Sequence, residues 1–179
     1  MARASPQPSP GVPLSLAFDR DCTLWIGKRE LERVWAEAVE KAPLETGGIL
    51  MGYWEGDNGL VTQVVGPGSK ATHKEQSFAP DYPYHRRMAA EIYERSGRTE
   101  TYLGDWHTHP GSGAHMSADD RATTRRIAAD REARCVEPVM MILGLGPIEL
   151  KAWRYGPGLI WPVRRFTPCR LRLLVVSDQ

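Results

Sequence analysis

Apolar residues alternate with polar ones in several short runs of this chain and recur at helical spacing in three longer ones. Residues 14–18 (LSLAF) and 22–26 (CTLWI) read as short strands around the polar turn DRD. Between Gly27 and Ala42, the apolar residues Leu31, Val34, Trp35, Ala38 and Val39 recur at intervals of three and four. That is the spacing of an amphipathic helix, and Pro43 ends it. GGILMGYWE (47–55) is a largely apolar run rich in strand formers, followed by the turn GDNG and a second strand, LVTQVV. Residues 66–82 are predicted to be the longest irregular stretch, a length often tied to function.

A second helix is predicted over 82–97, with Met88, Ile92 and Tyr93 on one side. TYLGDWH (101–107) is a strand, and 117–134 a third helix. Two strands, 137–146 and 148–156, should pair across the Gly146–Pro147 turn, and residues 159–166 and 171–176 add a strand or a terminal segment. The order of elements predicts an α/β (α+β) fold, a mixed β-sheet flanked by helices. With 179 residues the chain should form a single domain, 14–179, preceded by a disordered Pro/Ser-rich lead-in, 1–13.

Composition narrows the class. The chain is 41% hydrophobic and 25% charged, enough to bury a core, with a net charge of +1. Cationic residues cluster in RATTRR and RRFTPCRLR, which read as a solvated helix face and a charged tail. Nucleic acid is therefore not an expected partner, and no apolar run approaches a membrane span. Cys22, Cys135 and Cys169 are odd in number and lie in no C-x-x-C pair. The expectation is free thiols in a reducing compartment, hence a cytoplasmic protein.

The chemistry concentrates in His107, His109, Ser117 and Asp120, spaced H-x-H-x7-S-x2-D, and in Glu45 of the segment ETGG. Residues i and i+2 of a strand share a face, so the two imidazoles can converge on one ion. Pro110 turns the chain after them, and Asp120 lies one turn into the following helix, where its carboxylate can swing back. Two nitrogens and one oxygen suit zinc with a fourth position open for water. Glu45, at the mouth of a strand, is the candidate to move protons, and Ser117 the candidate to face a developing oxyanion.

Ser117-x-x-Asp120 also reads as a helix N-cap with a first-turn acid, and the two readings are compatible. His73 and His115 are expected to be exposed, His85 to lie on the surface, and Asp119 to be a first-turn acid. Asp105 could orient a ligand imidazole. Trp106 is expected in the core.

ETGGILMG (45–52) followed by WHTHPGSGAHMSADD (106–120) resembles the JAMM metalloproteases, also called JAB or MPN-plus, over roughly residues 20–155. The resemblance implies one Zn2+ per chain held by His107, His109 and Asp120, with Glu45 as acid/base and Ser117 assisting the oxyanion. It implies a JAB/MPN fold resembling the cytidine deaminases. It also implies cleavage of isopeptide bonds between the C-terminal glycine of ubiquitin, or a ubiquitin-like protein, and a lysine. Trp106 directly before His107, and Met116 where many members carry Pro, are departures that touch no metal or catalytic position.

The compact size and the GDWHTHP form look most like bacterial stand-alone members, which are encoded beside ubiquitin-activating and ubiquitin-conjugating homologues, antiviral defence operons included. Implied partners are a ubiquitin-like protein or its conjugate, and those homologues. Two other readings follow from the same resemblance: a peptidase acting on a small sulfur-carrier protein, and a non-catalytic scaffold. A substrate tail would enter as an extended strand, with segment 66–82 as one wall of its channel.

Overall fold

Seven strands hydrogen-bond in the order β1-β3-β2-β6-β7-β8-β9, and β1 pairs back to β9, so the mixed sheet closes on itself. The computed structural model describes residues 22–158 and 162–174. The lead-in 1–13 and the strand expected at 14–18 lie outside the described residues. In chain order the elements are β1 (Cys22–Gly27), α1 (Lys28–Lys41), β2 (Gly47–Glu55), β3 (Asn58–Val65), β4 (Thr72–Lys74), β5 (Ser77–Ala79) and α2 (Tyr82–Arg95). After them come β6 (Thr101–His109), α3 (Ala118–Ala129), β7 (Val139–Leu145), β8 (Ile148–Pro157) and β9 (Arg164–Leu174). Three strand pairs are parallel (β1–β3, β1–β9 and β6–β7), and the others in this sheet are antiparallel. The mixed α/β architecture expected from the element order is the one observed; its closure through β1 and β9 had no signal in local periodicity. Among the described residues no helix is long and apolar enough to cross a membrane.

The interior is filled by Leu24, Ile26, Val34, Leu50, Val61, Leu103, Trp106, Val139 and Met141, all essentially without exposure. A second cluster, Ile49, Met51, Val65 and Ile92, seats α2. A third, Ala114, Met116, Met140 and Ile142, fastens the loop between β6 and α3 onto β7.

Helix α1 turns a different face inward from the one its apolar residues suggest. Val34 and Ala38 are buried, but Trp35 and Val39 are exposed, and Glu30 is buried instead. Glu30 accepts a 2.7 Å hydrogen bond from the Val64 backbone N–H, and satisfying that donor accounts for the buried carboxylate. α3 stops at Ala129 rather than continuing to 134. There Asp130 Oδ1 accepts from the Glu132 N–H, a local turn that competes with the helix.

Three further expectations are corrected. Residues 66–82 are not wholly irregular: β4 and β5 form a small hairpin with its turn at Glu75–Gln76. Residues 164–174 form one strand, where separate segments were expected. Cys22 and Cys169 are joined as a disulfide between directly opposed positions of β1 and β9, and only Cys135 is a free, buried thiol. An odd cysteine count says nothing about which strands become neighbours, so it carries no argument about compartment.

The glycines of ETGG are required by close approach. A Cβ on Gly48 would lie 1.9 Å from the Val65 carbonyl oxygen and 2.9 Å from Trp106 Nε1. One on Gly47 would lie 2.4 Å from the Trp106 carbonyl oxygen. Backbone cannot yield as a flexible side chain does, so Gly48→Ala should lower the free energy of unfolding by about 1–3 kcal/mol or more. Urea denaturation of the variant beside the parent checks this.

Candidate functional site

Strand β6 carries His107 and His109 on one face, with Thr108 between them on the other, fully buried. β6 ends at His109, Pro110 follows, and the chain loops through Gly111–Met116 into α3. Buried Ala114 and Met116 press that loop against β7, which fixes the start of the helix. Ser117 is its N-cap, and Asp120 sits in the first turn.

Ser117 and Asp120 form a reciprocal capping box. Ser117 Oγ accepts from the Asp120 N–H at 3.1 Å, and Asp120 Oδ2 accepts from the Ser117 N–H at 2.7 Å. The box consumes one carboxylate oxygen and leaves the other, Oδ1, 3.0 Å from His107 Nε2. His109 Nε2 lies 3.7 Å from Asp120 Oδ2. One ligand atom from each of the three residues falls within a common 4.8 Å. Asp120 is thus both cap partner and ligand candidate, with a different oxygen for each.

These residues fit a metal ion. His107 Nε2, the ring nitrogen that faces Asp120, is buried and makes no well-formed hydrogen bond, a costly state for a ring nitrogen. Tetrahedral bonds of 2.0–2.2 Å place neighbouring ligand atoms roughly 3.3 Å apart, close to the 3.0 Å between His107 Nε2 and Asp120 Oδ1. Burial by itself would raise the Asp120 pKa, but the His107 ring and the bonds from Ser117 hold it well below the usual carboxylate range. Burial lowers the His109 pKa, with His107 adding to the effect, so the ring is disposed to remain a neutral donor.

Glu45 stands in the loop entering β2, half-buried, and lines the same cleft as His109. Burial raises its pKa above the ordinary glutamate range, partly offset by His107. The cleft holds about 500 Å³ and is lined by Pro43, Glu45, His109, Ser112 and His115, and by Glu75 and Gln76 of the hairpin tip. Ser117 Oγ accepts one hydrogen bond and keeps its own proton to donate. The arrangement can therefore offer a cation site with a proton carrier, Glu45, in the cleft that His109 lines, and a hydroxyl donor, Ser117, bonded to the candidate ligand Asp120.

The other predicted positions divide. Asp119 is exposed in the first turn of α3, Trp106 is buried, and His115 is exposed with its ring 5.0 Å from that of His109. Asp105 accepts a 2.6 Å bond from the Tyr102 hydroxyl, so its recorded partner is a phenol and not a ligand imidazole. His85 is buried rather than on the surface, because its Nε2 binds the Gly66 carbonyl at 2.8 Å. His73 is half-buried rather than exposed, with Nδ1 2.9 Å from the Glu45 carbonyl oxygen. Neither partner lies within reach of sequence spacing. The sequence holds one cue to His73, its place in the long segment 66–82 expected to border the site.

Comparison with known proteins agrees with this geometry. Residues 27–156 match the model of the prokaryotic homologues of the JAB domain. A probable metalloprotease of Sinorhizobium fredii is 39% identical over 126 residues, 69% of this chain and 77% of that protein. A CD-NTase/cGAS isopeptidase of Enterobacter hormaechei is 31% identical over 157 residues, 86% of this chain and 83% of its own length. A solution structure of a Desulfitobacterium hafniense protein superposes with a TM-score of 0.61 at 22% identity, covering 85% of this chain and 93% of that one, and so shares the fold. With the match spanning most of the chain, this protein belongs to the JAB-domain family in its prokaryotic branch and is a hydrolase of that family.

Proposed function

We propose that the chain is a zinc-dependent isopeptidase or peptidase that removes a ubiquitin-like protein from lysine conjugates or trims its precursor C-terminus. The observation that carries the proposal is the convergence of His107, His109 and Asp120 beside the half-buried Glu45, which lines an open cleft together with His109. Four relatives named CD-NTase/cGAS isopeptidase support the isopeptide reading, and the setting proposed is a bacterial antiviral-defence conjugation pathway. Activating and conjugating enzymes of that pathway are the further partners proposed. The cleft is open enough to admit an extended tail, and no observation favours a sulfur carrier or a scaffold over it.

Zinc held by His107, His109 and Asp120 would bring the pKa of water down to about 7 and polarise the scissile carbonyl. Glu45 takes a proton from the attacking water and hands it to the departing lysine amine. Glu45 suits this role because it is half-buried and lines the same cleft as His109. The Ser117 hydroxyl, aimed by its bond from the Asp120 N–H, donates to the carbonyl oxygen as negative charge builds. Asp120 Oδ2 stays committed to the Ser117 N–H, so the helix cap holds the ligand carboxylate still. Glu75 and Gln76 at the hairpin tip, and Ser112, line the cleft where the substrate tail would lie.

Glu45→Ala should retain stoichiometric metal and lose most of the rate with a ubiquitin-like fusion substrate; a wild-type rate would remove the assigned proton carrier. Asp120→Ala should bind metal far more weakly, as elemental analysis would read. Ser117→Ala should cost about 10²–10³ in kcat, the range for one oxyanion donor.

Glu45 also has a titration signature. In chelated, metal-free protein its carboxyl should titrate above the ordinary range, because burial disfavours the charged form. A cation bound nearby favours that charged form, so metal loading should move the pKa downward. Carbon-detected NMR titration with and without zinc gives both signs.

Substitution of Glu75 and Gln76 by Gly at the hairpin tip should raise KM more than it lowers kcat. Steady-state kinetics with a tailed substrate checks the assignment of that wall.

A further inference from the structure

The hairpin β4–β5 is more than a wall. Two short strands with three residue pairs are marginal on their own, so the hairpin depends on what fastens it. Its base is tied through Asp81, whose Oδ2 accepts from the Lys70 N–H and whose Oδ1 caps α2 at the Tyr84 N–H. Its strand β4 is tied to the residue proposed to carry the proton. The Glu45 N–H donates to the Lys74 carbonyl at 2.8 Å, and His73 Nδ1 lies 2.9 Å from the Glu45 carbonyl oxygen. Both backbone groups of Glu45 are therefore engaged by two consecutive residues of β4. Phe78, opposite His73 in the hairpin, lies 5.4 Å from the imidazole, and its ring would sit 3.0 Å from a Cβ on Gly47.

A carbonyl oxygen only accepts, so His73 Nδ1 must carry the hydrogen. Both the Nδ1 tautomer and the imidazolium have that hydrogen, so the bond survives a change in the ring's protonation. The next residue, Thr46, is held from the opposite side: its N–H donates to Thr108 Oγ1 at 3.0 Å, and its carbonyl accepts from the Thr108 N–H at 2.9 Å. Residues 45 and 46 are thus gripped between β4 and the histidine-bearing strand β6. Released from β4, Glu45 would pivot about Thr46, and its carboxylate would leave its place beside the cation site.

We propose that His73 is a positioning residue for Glu45. Its Nδ1–H clamps the Glu45 backbone to β4 and so couples the wall that meets the substrate to the group that moves the proton. The kinetic part rests on the proposed hydrolase chemistry; the clamp itself does not.

The test uses the full chain with three variants, His73→Ala, His73→Asn and Glu45→Ala. Asn places an amide donor close to where the Nδ1–H lies. Amide hydrogen exchange is read residue by residue by NMR in metal-free and zinc-loaded protein. In His73→Ala the Glu45 amide should exchange about 2–10-fold faster, the equivalent of one net hydrogen bond, while the Thr46 amide keeps its protection. His73→Asn should restore the Glu45 protection. With a tailed substrate, His73→Ala should lower kcat by about 10–100-fold through misplacement of the carboxylate, with KM and zinc content near the parent's and His73→Asn close to wild type.

Unchanged Glu45 exchange in His73→Ala overturns the clamp, and so does an equal rise at Glu45 and Thr46, which would report general loosening. A wild-type kcat in His73→Ala beside an inactive Glu45→Ala overturns the positioning role and leaves the proton carrier in place. Failure of the wild-type protein to cleave any tagged substrate counts against the proposed function, and the exchange data still decide the clamp.

Discussion

Everything at the cleft depends on the reciprocal backbone and side-chain pairing of Thr46 with Thr108. Both residues are fully buried, and Thr108 uses its N–H and its hydroxyl on the one partner. Buried polar groups are tolerated when satisfied, and a closed pair of this kind also sets distance and register. It fixes the loop that carries Glu45 against the strand that carries His107 and His109. Gly47 follows because the β6 backbone at Trp106 then runs too close for a Cβ, and at Gly48 the Val65 carbonyl of β3 comes closer still. ETGG is therefore one device: an acid, a buried tether and two residues that permit close approach.

Asp120 shows how one residue can close a helix cap and still offer an oxygen to a candidate cation site. A carboxylate has two oxygens, and here one closes a helix cap while the other faces an imidazole. The cap orients the carboxylate, and orientation is what a ligand needs. Met116 contributes from below. Buried against Met140 and Ile142, it seats the loop that delivers Ser117, at a position where many relatives were expected to carry proline.

Much of the candidate site was legible because its logic is local. H-x-H places two rings on one strand face, and S-x-x-D closes within one helical turn; neither needs a distant partner. The helices and most strands were legible for the same reason, through their periods. Glu30 and Trp35 were not. Periodicity weighs residues by polarity, but the inward face of α1 was chosen by an unpaired N–H at the end of β3, which drew the carboxylate in and left the indole out. His73 and His85 were read as surface residues for the same reason, since the carbonyls they bind belong to residues 28 and 19 positions away.

By itself the sequence determined the nature of the elements, the family resemblance and the residues offered to a cation, since each rests on contacts within a strand or a turn. Only the tertiary structure decided that β1 meets β9, that Cys22 faces Cys169 across 147 residues, and that Glu45 is held from both sides by β4 and β6. Those pairings depend on strand order and on which buried donors remain to be satisfied. Both are properties of the whole closed sheet, and no window of sequence contains them.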